Sequence, residues 1–297
     1  MKIRFSLNST AFLQYGVAVL LALGSASVRA NECSDRLKNY VQIKNDRLVE
    51  NRFTVTRDLA EYHLIFNFNS TASLENVQKN LKPGSVWFDM GAGGAIALME
   101  GLQKYPNISQ GVAVAYQRPK NSISEPIRNE RFLYLDGDYV ENMALNGRLA
   151  RWAYDTDLFT DVFGPISYSE NLPQLFQIYF DLLKQDGVLY FNLMNQRNFV
   201  VNREGIVRTD TFKSVNRVVK NGRIQADGIL AWLNSIPGIE VEGTTRMSSG
   251  GSGQIEESIS YKVRKIAADV VVPNTLITEY YKAGSPPERS FILIENR

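Results

Sequence analysis

The chain has very little histidine and cysteine, the residues on which zinc sites and many nucleophilic active sites depend. Its 297 residues include one histidine, His63, and one cysteine, Cys33. With a single cysteine, no disulfide can form within the chain. One cysteine and one histidine that is distant from it in the sequence do not make a zinc site. A Ser–His–Asp or Cys–His arrangement would need the same histidine, which lies among apolar residues and is expected to pack in the core. We therefore expect no metal site.

A strong charge of either sign is also absent. The 33 Lys and Arg residues are nearly balanced by 31 Asp and Glu residues, which leaves a formal net charge of +2. That charge is too small to favour binding to nucleic acid or to an anionic membrane. The hydrophobic fraction of 44% and the charged fraction of 22% are ordinary for a globular protein.

The first thirty residues have the layout of a secretory signal peptide. Positive residues precede a mostly apolar stretch at 11–23, and Val28 and Ala30 occupy the positions before a cleavage site. Cleavage would leave a mature chain that begins at Asn31 and is exported to the periplasm or the medium. An uncleaved anchor is the alternative, but the apolar run is shorter than the roughly 20 residues that span a bilayer. No later segment is long and apolar enough to do so.

The remainder divides into an N-terminal helical or irregular segment at 31–80 and a regular region at 81–297. In the regular region the pattern predicts strands at 85–89, 111–116, 131–135, 157–162 and 188–193, with helices at 95–104 and 171–184. Strands that alternate with helices predict a parallel sheet covered on both faces. Further on, the pattern predicts a helix at 222–234, a loop at 248–253, and strands at 238–243, 261–272 and 289–295.

The stretch VWFDMGAGGAIAL at 86–98 is the first candidate site. An apolar strand ends at Asp89, and three glycines follow within four positions before a helix begins. In an open parallel sheet, ligands bind beyond the carboxyl ends of the strands, and glycines allow a close approach of the backbone. A dinucleotide-binding turn is the competing interpretation, but its third glycine would fall on Ile96. An acid at this position would also repel a pyrophosphate and suits a cofactor that carries a cation.

Four segments in this order resemble the class I S-adenosylmethionine-dependent methyltransferases. They are VWFDMGAG at 86–93, LDGD at 135–138, LFTDVFGPISYS at 158–169 and LLKQDGVLYF at 182–191. The resemblance covers about residues 80–195 and extends more loosely to the last strands. It implies a Rossmann-like, doubly wound and mostly parallel seven-stranded sheet with flanking helices and a C-terminal antiparallel strand.

The resemblance also implies S-adenosylmethionine as the cofactor and a place for it at the glycine turn. Asp89 would organise the turn and lie near the amino acid end of the cofactor. Gly91 and Gly93 would make room for its methionine and ribose, with Ala92 between them in the binding turn.

Other residues would contact the adenosine and the reacting methyl group. Asp138 would accept a hydrogen bond from the exocyclic amine of the adenine, and Gly137 would allow the approach. The family usually has an acid after the second strand; here Tyr116 stands at the end of that strand and can offer a single hydrogen bond. Asp161 and Tyr168 would border the methyl group and the acceptor as catalytic residues.

The implied function is methyl transfer by direct displacement to an unknown acceptor. Two alternatives stay open. The missing second-strand acid and the signal peptide favour an exported, non-catalytic binding protein derived from the same fold. The acidic segment LDGDYVEN at 135–142 is similar to aminopropyl transferases, which share the sheet but use a decarboxylated cofactor.

Overall fold

A computed structural model describes residues 56–69, 71–116, 130–169, 171–194, 199–202, 205–208, 217–220, 223–226, 228–249, 255–282 and 288–293. The signal peptide predicted at 1–30 lies outside these residues and stays a prediction. Of the loop predicted at 248–253, the first two residues belong instead to a strand that ends at Ser249, and residues 250–253 lie outside the described residues. In the described part of the chain, no helix has the length and apolar character needed to cross a membrane.

The elements follow one another in the order that the sequence predicts up to residue 194. The helices are α1 (Leu59–Ile65), α2 (Leu74–Lys79), α3 (Ile96–Lys104), α4 (Val140–Leu145), α5 (Pro165–Tyr168), α6 (Leu172–Leu182) and α7 (Gly228–Asn234), with a 3-10 turn at Ala150–Trp152. The first strands are β1 (Ser85–Met90), β2 (Ile108–Val114), β3 (Phe132–Leu135), β4 (Thr156–Val162) and β5 (Leu183–Met194). The later strands are β6 (Phe199–Asn202), β7 (Gly205–Arg208), β8 (Arg217–Lys220), β9 (Arg223–Ala226), β10 (Ile239–Ser249), β11 (Ile255–Lys265), β12 (Leu276–Lys282) and β13 (Glu288–Leu293).

Seven strands form the main sheet in the order β10-β11-β5-β4-β1-β2-β3. Strands β1 to β5 are parallel, and β11 runs antiparallel to both β5 and β10. This sheet confirms the predicted fold class, including the antiparallel strand from the C-terminal region. Strands β2 and β3 lie on one side of β1, and β4 and β5 lie on the other, so the strand order reverses between β1 and β4.

Alternate residues of the strands fill two separate cores. Phe88 and Phe159 pack with α4, α6 and α7 on one face, whereas Trp87 and Leu158 pack with α1, α2 and α3 on the other. All six residues of β1 are buried, because helices cover both faces of a parallel sheet. Since α1 and α2 contribute Leu59 and Leu74 to the second core, they pack directly on the sheet.

A buried lysine joins the last strand of the main sheet to α6. The Lys265 side chain is fully buried, and its Nζ donates to the carbonyl oxygens of Phe180 at 2.6 Å and Leu183 at 2.7 Å. A cation is favoured at the carboxyl end of a helix, where backbone carbonyls have no helical partner. The bond to the α6 end therefore compensates part of the cost of burying the charge.

The sequence patterns after residue 194 predicted the elements less well. The helix predicted at 222–234 begins only at Gly228, because residues 223–226 pair with 217–220 in a hairpin instead. The strand predicted at 261–272 runs from Ile255 to Lys265. The strand predicted at 289–295 corresponds to β13, but it belongs to a four-stranded sheet of order β12-β13-β8-β9. The main sheet is completed by β10 and β11.

Gly101→Ala is expected to destabilise the fold, although alanine is the better helix former by about 1 kcal/mol. A Cβ at this position of α3 would overlap the indole ring of Trp87 and lie 3.0 Å from a second ring carbon. The ring is held in place because its Nε1 donates to Oγ1 of Thr160 at 2.9 Å. We expect a loss of roughly 1–3 kcal/mol in the free energy of unfolding, measured in urea. Gln103→Ala, on the exposed face of the same helix, is the control, and a Gly101→Ala protein as stable as wild type would contradict the packing described.

Candidate functional site at the carboxyl edge of the sheet

The reversal of strand order between β1 and β4 opens a crevice at the carboxyl edge of the main sheet. Asp89 lies at the end of β1, Gly137 and Asp138 follow β3, and Asp161 lies at the end of β4. The structure thus brings residues that are far apart in the sequence to one edge of one sheet.

The glycine turn between β1 and α3 has the backbone conformation that the glycines suggested. Gly91 has φ of 80° and Gly93 has φ of 55°, and both values lie in the left-handed region that glycine adopts without strain. The N–H groups of Gly91 and Ala92 donate to the carbonyl oxygen of Val114 at 2.7 Å and 3.1 Å. The hydroxyl of Tyr134 donates to the carbonyl oxygen of Gly93. The turn is therefore tied to the ends of β2 and β3.

Packing within the chain accounts for two of the glycines. A Cβ on Gly91 would overlap the Cα of Gly164, and a Cβ on Gly94 would lie 2.8 Å from Oγ1 of Thr56. A side chain on Gly164 would overlap the carbonyl oxygen of Met90 in return. A substitution at Gly91 would therefore disturb the fold as well as any ligand. The cofactor role of Gly91 stays a prediction, as does that of Gly93.

Asp89 is closed off from the crevice by two hydroxyl groups. The Tyr62 hydroxyl donates to its carboxyl oxygens at 2.9 Å and 3.0 Å, and Thr160 donates to Oδ1 at 2.8 Å. Burial raises the pKa of Asp89 to about 7, although the hydrogen bonds from Thr160 and Tyr62 and the charge of Arg57 oppose the increase. Asp89 therefore stabilises the base of the glycine turn. Because Tyr62 covers its carboxyl group, Asp89 would affect a ligand only through Tyr62. Sequence reasoning missed Tyr62, because nothing local indicates that a tyrosine of α1 reaches a strand end.

Asp161 holds the loop that follows β4. Its carboxyl oxygens accept hydrogen bonds from the N–H of Gly164 at 2.7 Å, the N–H of Ile166 at 3.0 Å and the hydroxyl of Tyr179 at 2.9 Å. Burial raises its pKa to about 7, against the effect of these hydrogen bonds. Tyr168 ends the short helix α5 in the same loop and is half-buried. The Asp161 carboxyl is fully buried and acts as an anchor of the loop.

Tyr116, Gly137 and Asp138 come together beyond β2 and β3. The N–H of Gly137 donates to the carbonyl oxygen of Tyr116 at 3.0 Å, and the Tyr116 ring lies 4.9 Å from the ring of Tyr139. Oδ1 of Asp138 accepts from the N–H of Tyr139 at 2.8 Å and from Nδ2 of Asn142 at 2.7 Å. Apart from its two chain neighbours, no atom of the described residues lies within 4 Å of the place where a Cβ on Gly137 would be, so the space in front of this glycine is open.

The loop after β4 begins with a strained residue. Phe163 has φ of 52°, a value that bulky residues rarely adopt. Its N–H donates to Oδ1 of Asn192 at 3.1 Å, and its ring lies 5.1 Å from the guanidinium carbon of Arg57. Strained residues of this kind concentrate at functional sites. Phe163 lies in the segment 158–169 that resembles the methyltransferases, but no local pattern indicated its contacts with Arg57 and Asn192, because the three residues come from distant parts of the chain.

A second buried contact joins the same loop to α4. Oγ of Ser169 donates to Oε1 of Glu141 at 2.8 Å, and both residues are buried.

His63 lies away from the crevice, with Nε2 2.7 Å from Oε1 of Gln78, and burial lowers its pKa. Among the residues that the structure describes, no group of three or more His, Cys, Asp and Glu side chains is arranged to hold a metal ion.

No protein-family model and no curated protein matches the chain. Among solved structures, it is similar to an S-adenosylmethionine-dependent methyltransferase from Mesorhizobium loti, with 12% identity, a TM-score of 0.39, and coverage of 62% of this chain and 92% of the other. A SAM-dependent methyltransferase from Methanosarcina mazei has 10% identity, a TM-score of 0.39, and coverage of 63% and 94%. Phosphoethanolamine N-methyltransferase 2 from Haemonchus contortus, solved with S-adenosylhomocysteine, has 13% identity and a TM-score of 0.43, and the match covers 76% of this chain and 61% of that enzyme. The likeness is one of fold.

Asp89→Asn is expected to flatten the pH dependence of stability. A carboxyl whose pKa rises on folding from 3.8 to about 7 binds its proton more tightly in the folded chain. Its stabilising contribution is complete below about pH 4 and is lost as the pH rises towards 7. Between about pH 5 and 7, this group should remove about 2 kcal/mol from the free energy of unfolding of the wild type, and nothing from that of the variant.

Urea unfolding across this pH range measures the difference between the two proteins. Asp269→Asn, at an exposed position outside the crevice, is the control and should follow the wild type. Parallel pH profiles for wild type and Asp89→Asn would show that the carboxyl is ionised in the folded chain, contrary to the prediction.

Proposed function

We propose that the chain binds S-adenosylmethionine in the crevice and transfers its methyl group to an acceptor. The observation that carries the proposal is the position of the glycine turn. The glycine turn lies at the point where the strand order reverses. The space in front of Gly137, next to Asp138 in the loop after β3, is open on the same edge of the sheet. The order of the four segments that resemble the methyltransferases supports the same conclusion, because they all end at this edge.

The residues around the crevice suit an adenosyl ligand. Asp138 has Oδ1 engaged by Tyr139 and Asn142, while its Oδ2 has no hydrogen-bond partner in the described part of the chain. A carboxylate oxygen accepts hydrogen bonds, so Oδ2 is suited to the exocyclic amine of adenine. Tyr116 would lie beside the ribose, where it offers one hydroxyl in place of the usual acid. Gly93 would leave the space for the amino acid side of the cofactor.

The chain's own contribution to the reaction would be alignment and exclusion of water. The bound cofactor supplies a sulfonium-linked methyl group that is open to direct displacement. A reaction of this kind is accelerated when the attacking atom is held in line and the site is dry. Phe163 and the loop to Tyr168, anchored by Asp161, would border the acceptor. The direct contact with the acceptor thus falls to this loop and not to the Asp161 carboxyl.

A binding protein without catalytic activity is the second candidate. One observation favours it: Tyr116 follows β2 where a carboxylate would bind both ribose hydroxyls, and its ring packs near Tyr139. Such a protein would still bind the adenosyl ligand, and turnover would distinguish the two candidates once an acceptor is known.

Gly93→Asn is expected to abolish binding of S-adenosylhomocysteine while the fold is kept. Asparagine tolerates a left-handed backbone better than other side chains, yet it would fill the space that the ligand needs. Asp138→Ala should weaken binding by roughly 1–3 kcal/mol, the usual cost of removing one partner of a polar contact. Calorimetry with the purified chain measures both effects. Asp136→Asn, in the same loop, is the control, and unimpaired binding by Gly93→Asn would mean that the site lies elsewhere.

Export is the second part of the proposal, since the N-terminal residues carry the charge, apolar stretch and small residues of a signal peptide. The mature protein should begin at Asn31 and lie outside the cytoplasm of its native host. N-terminal sequencing of the native protein tests this directly. An intact Met1 on cytoplasmic protein would overturn it.

A further inference from the structure

Arg57 lies across the mouth of the crevice, immediately before α1. Its carbonyl oxygen accepts a hydrogen bond from the N–H of Ala97, in the first turn of α3, at 3.1 Å. Its guanidinium carbon lies 5.1 Å from the ring centroid of Phe163, in the loop after β4. The backbone of this residue is thus attached to the helix that follows the glycine turn, while its charge lies over the opposite side of the crevice.

The charge of Arg57 is not paired within the described part of the chain. The guanidinium forms no hydrogen bond or ion pair there, and the side chain is half-buried. Asp89 is the acid whose pKa responds to this charge, but its oxygens are occupied by Tyr62 and Thr160. A guanidinium matches the geometry of a carboxylate and binds it through two parallel hydrogen bonds.

We propose that Arg57 binds the α-carboxylate of the cofactor's amino acid end and selects a carboxylate-bearing cofactor over a decarboxylated one. The inference rests on the proposed function, and it identifies a residue that recognises one chemical group of the ligand. Asp89 does not make that contact, because its carboxyl oxygens are occupied by Tyr62 and Thr160 and a carboxyl group cannot form an ion pair with a carboxylate. The Arg57 guanidinium lies over the Phe163 ring, and this cation–π contact limits the motion of the guanidinium and favours one orientation.

This role separates the two transferase classes that share the sheet. An aminopropyl transferase uses a cofactor from which the carboxylate has been removed, so a guanidinium at this position would have no partner. A methyltransferase uses the intact amino acid end. Arg57 therefore favours methyl transfer over aminopropyl transfer for this chain.

Calorimetry with two ligands tests the inference on the purified full chain. The ligands are S-adenosylhomocysteine and its decarboxylated analogue, which keeps the amino group and lacks only the carboxylate. Wild type should bind S-adenosylhomocysteine at least about tenfold more tightly than the analogue. Arg57→Gln should weaken S-adenosylhomocysteine by about tenfold or more and leave the analogue unchanged, and Arg57→Lys should retain part of the preference.

Arg151 provides a matched control, because its guanidinium lies 3.9 Å from the Trp152 ring, away from the crevice. Arg151→Gln should bind both ligands as the wild type does, and thermal unfolding checks that Arg57→Gln is folded. Equal affinities of wild type for the two ligands, or an equal loss for both in Arg57→Gln, would overturn the role of Arg57 and leave the proposed function intact. Binding of neither ligand by wild type would overturn the proposed function together with the inference.

Discussion

The close contact between Gly91 and Gly164 is the constraint on which the crevice depends. The backbone of the turn after β1 meets the backbone of the loop after β4, and neither position has room for a Cβ. Asp161 maintains the contact, since it accepts hydrogen bonds from the N–H groups of Gly164 and Ile166. The position of Phe163, and with it one side of the crevice, follows from this contact.

Two buried acids on neighbouring strands support the same region from opposite faces of the sheet. Asp89 is bonded to Tyr62 of α1 and Thr160 of β4, whereas Asp161 is bonded to Tyr179 of α6. Burying a carboxylate is costly unless hydrogen bonds replace its water, and here burial still raises both pKa values to about 7. The acids thus connect helices of both layers to the strand ends where a ligand would bind.

The order of motifs along the chain was sufficient to predict the strands up to residue 194 and the residues that share one edge. Alternating apolar strands and amphipathic helices are local patterns, and parallel strands bring their carboxyl ends together. The elements after residue 194 were harder to predict, because residues 223–226 have a pattern compatible with a helix and yet pair with residues 217–220 in a hairpin. The positions of Asp89, Gly137, Asp138 and Asp161 at one edge could therefore be predicted, but their hydrogen-bond partners could not.

The sequence by itself determined the fold class and the glycine turn, because both depend on the spacing of residues close together in the chain. Only the tertiary structure decided which acids face a ligand and which are buried. Asp89 and Asp161 are covered by tyrosines from α1 and α6, and Arg57 meets Phe163 across a long separation in sequence. Such contacts depend on how helices pack on the sheet, and no local pattern records which side chain will reach a given strand end.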